Sequence, residues 1–132
     1  MSHDLDGVFP VGTLNALRLG RLLVAEVMAS RPECRAWVAV HPLLTDADSA
    51  AQREHWTRSD ARRSFRLTHR EFLTEHLDGW DYDIGSSEIK RTVATDEADL
   101  RVRLRAWEVP PEHLTYHWDT DFRRSALPAW EL

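Results

Sequence analysis

The sequence predicts a two-layer α+β fold in which helices pack on a mainly antiparallel sheet that ends in a C-terminal β-meander. Two periodicities support this prediction. Apolar residues recur at helical spacing in parts of the first 78 residues, whereas from Trp80 onward they alternate with charged residues, as in strands. Because the 132 residues contain no repeat or long linker, we expect one domain. It would be helix-rich over 1–78 and sheet-rich over 79–122, with a docking tail over 123–132.

The first part of the chain predicts two helices with a strand between them. An apolar stripe at helical spacing indicates a helix over 13–30, and the run 35–42 is apolar enough for a buried strand. Thr45 is suited to cap the next helix, whose first turn carries Asp46 and Asp48 and which is expected to run to about Arg58.

Residues 68–79 also carry the pattern of a helix. Thr68 with Glu71 three residues later matches a capping box, and Gly79 is suited to a left-handed helix end. His69 and His76 would then share one face of this helix, too far apart along the axis to bind one ion easily. The preceding residues, 59–67, fit either a helix or an extended link.

Four strands are predicted after residue 79. They cover 80–84, 87–94, 100–109 and 114–122. In the last two, even-numbered residues are mostly apolar and odd-numbered residues are mostly charged or polar, so a bend at 110–112 would join them as a hairpin. Arg103 would then face Asp119. Arg101 would face Asp121, and we interpret these charges first as cross-strand ion pairs.

Composition and charge limit the classes of function. The chain is 42% hydrophobic and 30% charged, which is typical of a globular protein. A net charge of −5, with fourteen of the 22 acidic residues in the second half, disfavours binding to nucleic acid or membranes and favours a basic protein partner. No apolar run approaches the roughly 18 residues of a membrane span. Cys34 is the single cysteine, and we expect a cytoplasmic location.

The segment 113–121 concentrates side chains that bind metals or transfer protons. They are His113, His117, Asp119 and Asp121. On a strand, residues four apart are about 13 Å apart, too far to share one ion. His117 and Asp119, about 7 Å apart, could share an ion only if their side chains converge and further ligands come from elsewhere. Nearby arginines would repel a cation, and we expect no metal and no cofactor. In an enzyme this cluster, with His41 at a strand end, would serve metal-assisted hydrolysis or acid–base catalysis.

A second group of residues is suited to binding another protein. Trp107 falls among arginines, and Trp and Arg are enriched at binding hot spots. The candidates are Trp107, Arg101, Arg103, Arg105, Asp119, Asp121 and Trp130. We therefore predict a small, acidic, non-catalytic protein-binding module, for which a bacterial immunity or adaptor role suits the size and charge. Its tail or a sheet edge would also allow a homodimer.

Two alternatives to this prediction stay open. One is the enzyme built on His117, Asp119 and Asp121. The other is a small-ligand pocket between helices and sheet, lined by Trp37, Tyr82 and Trp118. No phosphate-binding loop, GxSxG, HExxH or CxxC motif occurs in the sequence to favour a particular chemistry.

Overall fold

The computed structural model of this chain describes residues 9–74, 87–116 and 120. Its helices are α1 (Val11–Arg18), α2 (Asp46–Arg53) and α3 (Glu97–Ala106), with a short 3₁₀ helix at Pro111–His113. Its strands are β1 (Leu23–Val27), β2 (Cys34–Pro42), β3 (Phe65–Leu73), β4 (Ser87–Ala94) and β5 (Thr115–Tyr116). All neighbouring strands are antiparallel, in the order β4-β3-β2-β1-β5. The predicted α+β class with an antiparallel sheet is confirmed.

The sheet buries apolar side chains on both sides, because alternate residues of a strand point to opposite faces. One side, which we call the helix face, packs against α1 and α3. Its core includes Leu17, Leu23, Val38, Val40, Phe65, Leu67, Leu100 and Leu104. The other side, the opposite face, buries Val24, Trp37, Ala39 and Phe72. Burial on both sides explains why the sequence of β2 is an almost continuous apolar run.

Three predicted elements are confirmed. The strands expected over 35–42 and 87–94 are β2 and β4. The helix expected after Thr45 is α2, and the carboxylate of Asp48 accepts the backbone N–H of Thr45 at 2.7 Å, as a capping box requires. This helix ends at Arg53 rather than near Arg58. In the described part of the chain, no helix is long and apolar enough to cross a membrane.

The three described α-helices end with the same motif. The second residue after each helix has a positive φ: 84° at Gly20, 67° at His55 and 59° at Glu108. The N–H that follows returns to a carbonyl five residues earlier, from Arg21 to Ala16, from Trp56 to Ala51 and from Val109 to Leu104. This is the Schellman arrangement, which favours glycine at the positive-φ position. Since α2 and α3 place larger residues there, their ends carry no glycine signal in the sequence.

The predicted helix over 13–30 is wrong beyond Arg18. The chain turns at Gly20, and residues 23–27 form β1 between β2 and β5. Leu23 and Val24 are both buried, on opposite faces of the sheet. A strand that is apolar on both sides also places apolar residues at helical spacing, so periodicity alone does not distinguish the two.

The predicted helix over 68–79 is wrong over 68–73, whereas Thr74, the last described residue of this stretch, is helical. Residues 65–73 form β3, between β2 and β4, so the end of the ambiguous segment 59–67 is extended. Thr68 is fully buried, and Glu71 accepts a hydrogen bond from Ser30 instead of capping a helix. Nine paired positions with β2 outweigh the local pattern. Residues 75–79, and the strand predicted over 80–84, lie outside the described residues.

The predicted strand over 100–109 is wrong as well, because 97–106 form α3. The side chain of Asp96 caps it by accepting the N–H of Asp99 at 2.8 Å. Leu100 and Leu104 are buried while Val102 is 64% exposed, so the apolar stripe has a spacing of four and not two. Apolar residues four apart share one face of a strand and also one face of a helix, which explains why the alternating pattern predicted a strand here.

The predicted hairpin between 100–108 and 114–122 is therefore wrong too. In the described part of the second segment, β5 pairs with β1. Arg103 donates to Asp99 of its own helix at 3.3 Å and to Thr92 at 2.9 Å. Its expected partner Asp119, like Asp121, lies outside the described residues.

Candidate ligand-binding cleft

A cleft of about 460 Å³ opens on the helix face, between the sheet and the segment that follows α3. The sheet contributes Ala25, Val27, Val38, His69 and Lys90, and the segment after α3 contributes Trp107, Val109, Pro110 and His113. Glu26, Met28 and Glu108 complete the lining. Small-molecule sites in proteins are mostly clefts of about 300–1,000 Å³ that combine apolar walls with polar groups. This cleft lies in that range of volume, and seven of its twelve lining residues are apolar.

The β3–β4 pairing and the end of α3 create this cleft. The strand register places His69 directly opposite Lys90, beside a β-bulge at His69/Arg70. The helix stops at Ala106, and its terminal turn returns Val109 to the core, where the side chain is 2% exposed. The sheet around His69 therefore faces a cleft instead of a helix.

His69 is the main polar group of the cleft. Its two ring nitrogens, Nδ1 and Nε2, are buried and have no hydrogen-bond partner among the residues that the structure describes. Burial lowers the pKa of His69 below its ordinary value, the charge of Lys90 lowers it further, and the charge of Glu71 acts in the opposite direction. The imidazole is therefore neutral at pH 7, with one nitrogen able to donate a hydrogen bond and the other able to accept one.

Lys90 is the only lysine of the chain, and its side chain is exposed. Its ammonium nitrogen lies 4.7 Å from the centre of the Trp107 ring, within the range of a cation–π interaction. Because this contact is weak at an exposed site, worth about 0.5–1 kcal/mol, it positions the ammonium group without neutralising its charge.

The nearby carboxylates are mostly engaged elsewhere. Glu71, two residues from His69 on the same strand, is 2% exposed and accepts hydrogen bonds from the backbone N–H and the hydroxyl of Ser30. Burial raises the pKa of Glu71, but these hydrogen bonds and the charge of Arg31 outweigh burial and hold the pKa below its usual value. Glu26 accepts two hydrogen bonds of 2.8 Å from Arg35. The exposed Glu108 is the remaining carboxylate of the lining.

The predicted catalytic residues are not brought together in the described structure. His113 is exposed and lines the cleft. His41 lies on the opposite face, because it follows Trp37 and Ala39 in the alternation of β2, and it is buried. These two histidines are thus on different sides of the sheet. His117, Asp119 and Asp121 are outside the described residues.

The four described members of the predicted binding set lie on or just after α3, not on a sheet. Trp107 follows the helix as its C-cap, is partly buried and packs against the core of the helix face. Arg101 and Arg105 are exposed on α3, and Arg103 is half-buried. Asp119, Asp121 and Trp130 fall outside the described residues, so their role stays a prediction.

The predicted ligand pocket and metal pair can be compared with the structure only in part. Trp37, expected to line a pocket between helices and sheet, is buried on the opposite face, away from the cleft. Tyr82 and Trp118 are outside the described residues, as are His117 and Asp119, the two closest candidate metal ligands. Over 9–74, 87–116 and 120, no three His, Cys, Asp or Glu side chains are grouped so that they could hold a metal ion.

Comparison of the chain with protein-family models, with curated proteins and with solved structures finds no match. The geometry of the cleft is therefore the evidence that bears on function.

Sequence reasoning did not select the two residues at its centre. His69 was assigned to a predicted helix, where it would have had no partner strand. Lys90 carried a compositional signal, since it is the single lysine among seventeen basic residues. Lysine and arginine differ in hydration and hydrogen-bond geometry, so a single lysine in an arginine-rich chain is a signal that could have indicated this position.

Proposed function

We propose that this protein binds a small molecule in the cleft on its helix face. The observation that carries the proposal is His69, whose two buried ring nitrogens lack a described partner beside a cleft of about 460 Å³. Proteins rarely leave buried polar atoms unsatisfied, because each costs about 1–3 kcal/mol. A ligand would offset this cost by hydrogen-bonding to the imidazole once the ring turns a buried nitrogen toward the cleft.

The remaining lining supports a ligand that is partly apolar. Val27 and Val38 provide apolar walls, and Trp107 offers a flat aromatic surface at the other side of the cleft. A few polar groups on an otherwise apolar lining would orient the ligand, while burial of its apolar surface would supply most of the affinity.

A thermal-shift screen of small aromatic and aliphatic compounds tests this proposal. A ligand that binds only the folded state stabilises it by about 2.7 kcal/mol when its concentration is 100 times Kd. Val27→Trp is designed to fill the cleft, and Val102→Trp introduces the same side chain at a position of α3 that is 64% exposed. We expect compounds that raise the Tm of the wild type and of Val102→Trp but not of Val27→Trp.

The proposal is wrong if no compound of the screen raises the Tm, or if Val27→Trp responds as the wild type does. Should Val27→Trp fail to fold, Lys90→Met provides the comparison, because this side chain is exposed and its loss should leave the core intact. Ligands of the cleft should then shift the Tm of Lys90→Met less than that of Val102→Trp.

We also propose a second function, binding of a partner protein through α3. It is supported by Val102, which is exposed on this helix with Arg101 and Arg105 exposed nearby. Arginine is enriched at binding hot spots, and Val102 adds exposed apolar surface beside the two arginines. Val102→Glu should abolish capture of the partner, or formation of a homodimer, in native mass spectrometry across salt concentrations. Unchanged complexes would contradict this proposal.

We also propose that the protein is located in the cytoplasm. This location is supported by the buried free thiol of Cys34, the only cysteine of the chain. Thiols stay reduced in the cytoplasm. Fractionation of cells that produce the full-length protein tests it.

A further inference from the structure

We infer that the ligand of the cleft carries an anionic group which lies between the ammonium of Lys90 and the imidazole of His69, and that His69 takes up a proton when this ligand binds. The inference rests on the proposed function and specifies its ligand. The anionic group is a carboxylate or a phosphate ester attached to a flat apolar body.

The strand register brings the two basic groups together. His69 and Lys90 are paired residues of β3 and β4, and directly opposite residues of antiparallel strands have Cβ atoms about 4.5–5.5 Å apart. Like charges in this arrangement destabilise a sheet. Because the imidazole is neutral in the free protein, this repulsion arises only when His69 takes up a proton. An anion bridging the two side chains would then offset the repulsion and accept a charge-assisted hydrogen bond from each.

The carboxylates that face the pair do not already fill this role. Glu71 is held by Ser30, and Glu26 is held by Arg35. Glu108 is exposed at the rim after α3. Among the described residues, Lys90 forms a contact with Trp107 but no ion pair. The positive charge of Lys90 is thus available to a ligand.

Proton uptake follows from the state of His69. The free protein keeps the imidazole neutral, because burial and Lys90 both disfavour its charged form. An anion placed against the ring favours the charged form and raises the pKa of His69 in the complex. Binding should therefore tighten as the pH falls, by up to about tenfold per pH unit between the pKa values of the free and bound states. His113 is the other histidine of the lining, so the control is His55, which is exposed and lies outside the lining.

The test uses aryl carboxylates, the matched carboxamides and the matched aryl phosphates, titrated into the full-length protein by calorimetry at several pH values from about 5.5 to 8. Reductive ¹³C-methylation labels Lys90 as the only lysine, so its NMR signal reports whether the probe reaches it. We expect carboxylates to bind at least tenfold more tightly than carboxamides and to shift the Lys90 signal. The phosphates identify which anion is preferred.

Three variants separate the parts of the inference. Lys90→Met should lose the preference for the anion. His69→Gln, which keeps a polar side chain but takes up no proton, should lose the pH dependence, whereas His55→Asn, at an exposed position outside the cleft, should keep it.

Carboxamides that bind in the cleft as tightly as carboxylates would overturn the inference and leave the proposed function standing. If the affinity of His69→Gln depends on pH as strongly as that of the wild type, the inference that His69 takes up a proton is wrong. If no compound of the three sets, nor any compound of the thermal-shift screen, binds the cleft, both the inference and the proposed function are wrong.

Discussion

Two buried basic groups of this fold, Arg63 and His69, differ completely in how they are satisfied. The side chain of Arg63 is fully buried and donates to both carboxylate oxygens of Asp48, at 2.6 and 2.7 Å. It also donates to the carbonyl oxygens of Arg18, Leu43 and Arg58, at 3.0, 3.3 and 3.1 Å. His69 has two buried nitrogens and no described partner for either.

This difference distinguishes a structural site from the proposed ligand site. Arg63 donates hydrogen bonds to the end of α1, to the residue after β2 and to the loop before β3. These hydrogen bonds therefore stabilise the fold. A buried charge is tolerated only when it is paired and hydrogen-bonded. The ring nitrogens of His69 form no such bonds with described residues, and His69 lines the cleft for which we propose a ligand.

The largest effect is expected for Arg63→Met. Removing one partner of a buried ion pair leaves the other uncompensated and costs about 3–5 kcal/mol. Urea unfolding measures this loss. Arg62→Met, at the exposed neighbouring position, should change the free energy of unfolding by no more than about 0.5 kcal/mol. A loss below about 1 kcal/mol in Arg63→Met would contradict the structural role of this residue.

Gly20→Ala should weaken the same structural site by a smaller amount. Gly20 has a φ of 84°, and an added Cβ would lie 2.8 Å from Leu44 Cδ2 and 3.8 Å from Arg63 Nη2. A side chain in such a conformation costs about 1–3 kcal/mol. Gly12→Ala is the matched control, since a Cβ in α1 meets no atom within 4 Å and should stabilise by about 0.5–1 kcal/mol. Equal effects of the two substitutions would refute this explanation.

His69→Phe should leave the protein as stable as the wild type at neutral pH, or more stable by about 1 kcal/mol, because it removes unsatisfied polar atoms. The pKa of His69 is lower in the folded state than in the unfolded state, so acid favours unfolding. Stability should fall as the pH drops below about 6.5, the unfolded pKa, until the folded pKa is passed. His69→Phe should lose this component in unfolding curves between pH 7 and 5, and the exposed control His113→Phe should keep it.

Lys90→Met should have the smallest effect on stability, about 0.5 kcal/mol, because an exposed cation–π contact contributes little. Thermal unfolding of the two proteins side by side measures it. A loss above about 2 kcal/mol would mean that Lys90 supports the fold and would remove the distinction between the two sites.

Sequence reasoning succeeded where a local pattern has one interpretation. The apolar run of β2 and the acidic first turn of α2 each predicted an element that the structure contains. It failed where two structures share a pattern, as at 23–27 and 97–106. The polar centre of the cleft was missed for the same reason, because His69 belonged to a segment predicted as helix.

The sequence by itself determined the α+β class and the elements β2, α2 and β4, because each of these depends on a residue pattern within one segment. Only the tertiary structure decided that 65–73 is a strand between two others and that His69 stands opposite Lys90. Strand pairing joins segments that are distant in the chain, and its free energy comes from contacts that no local window contains.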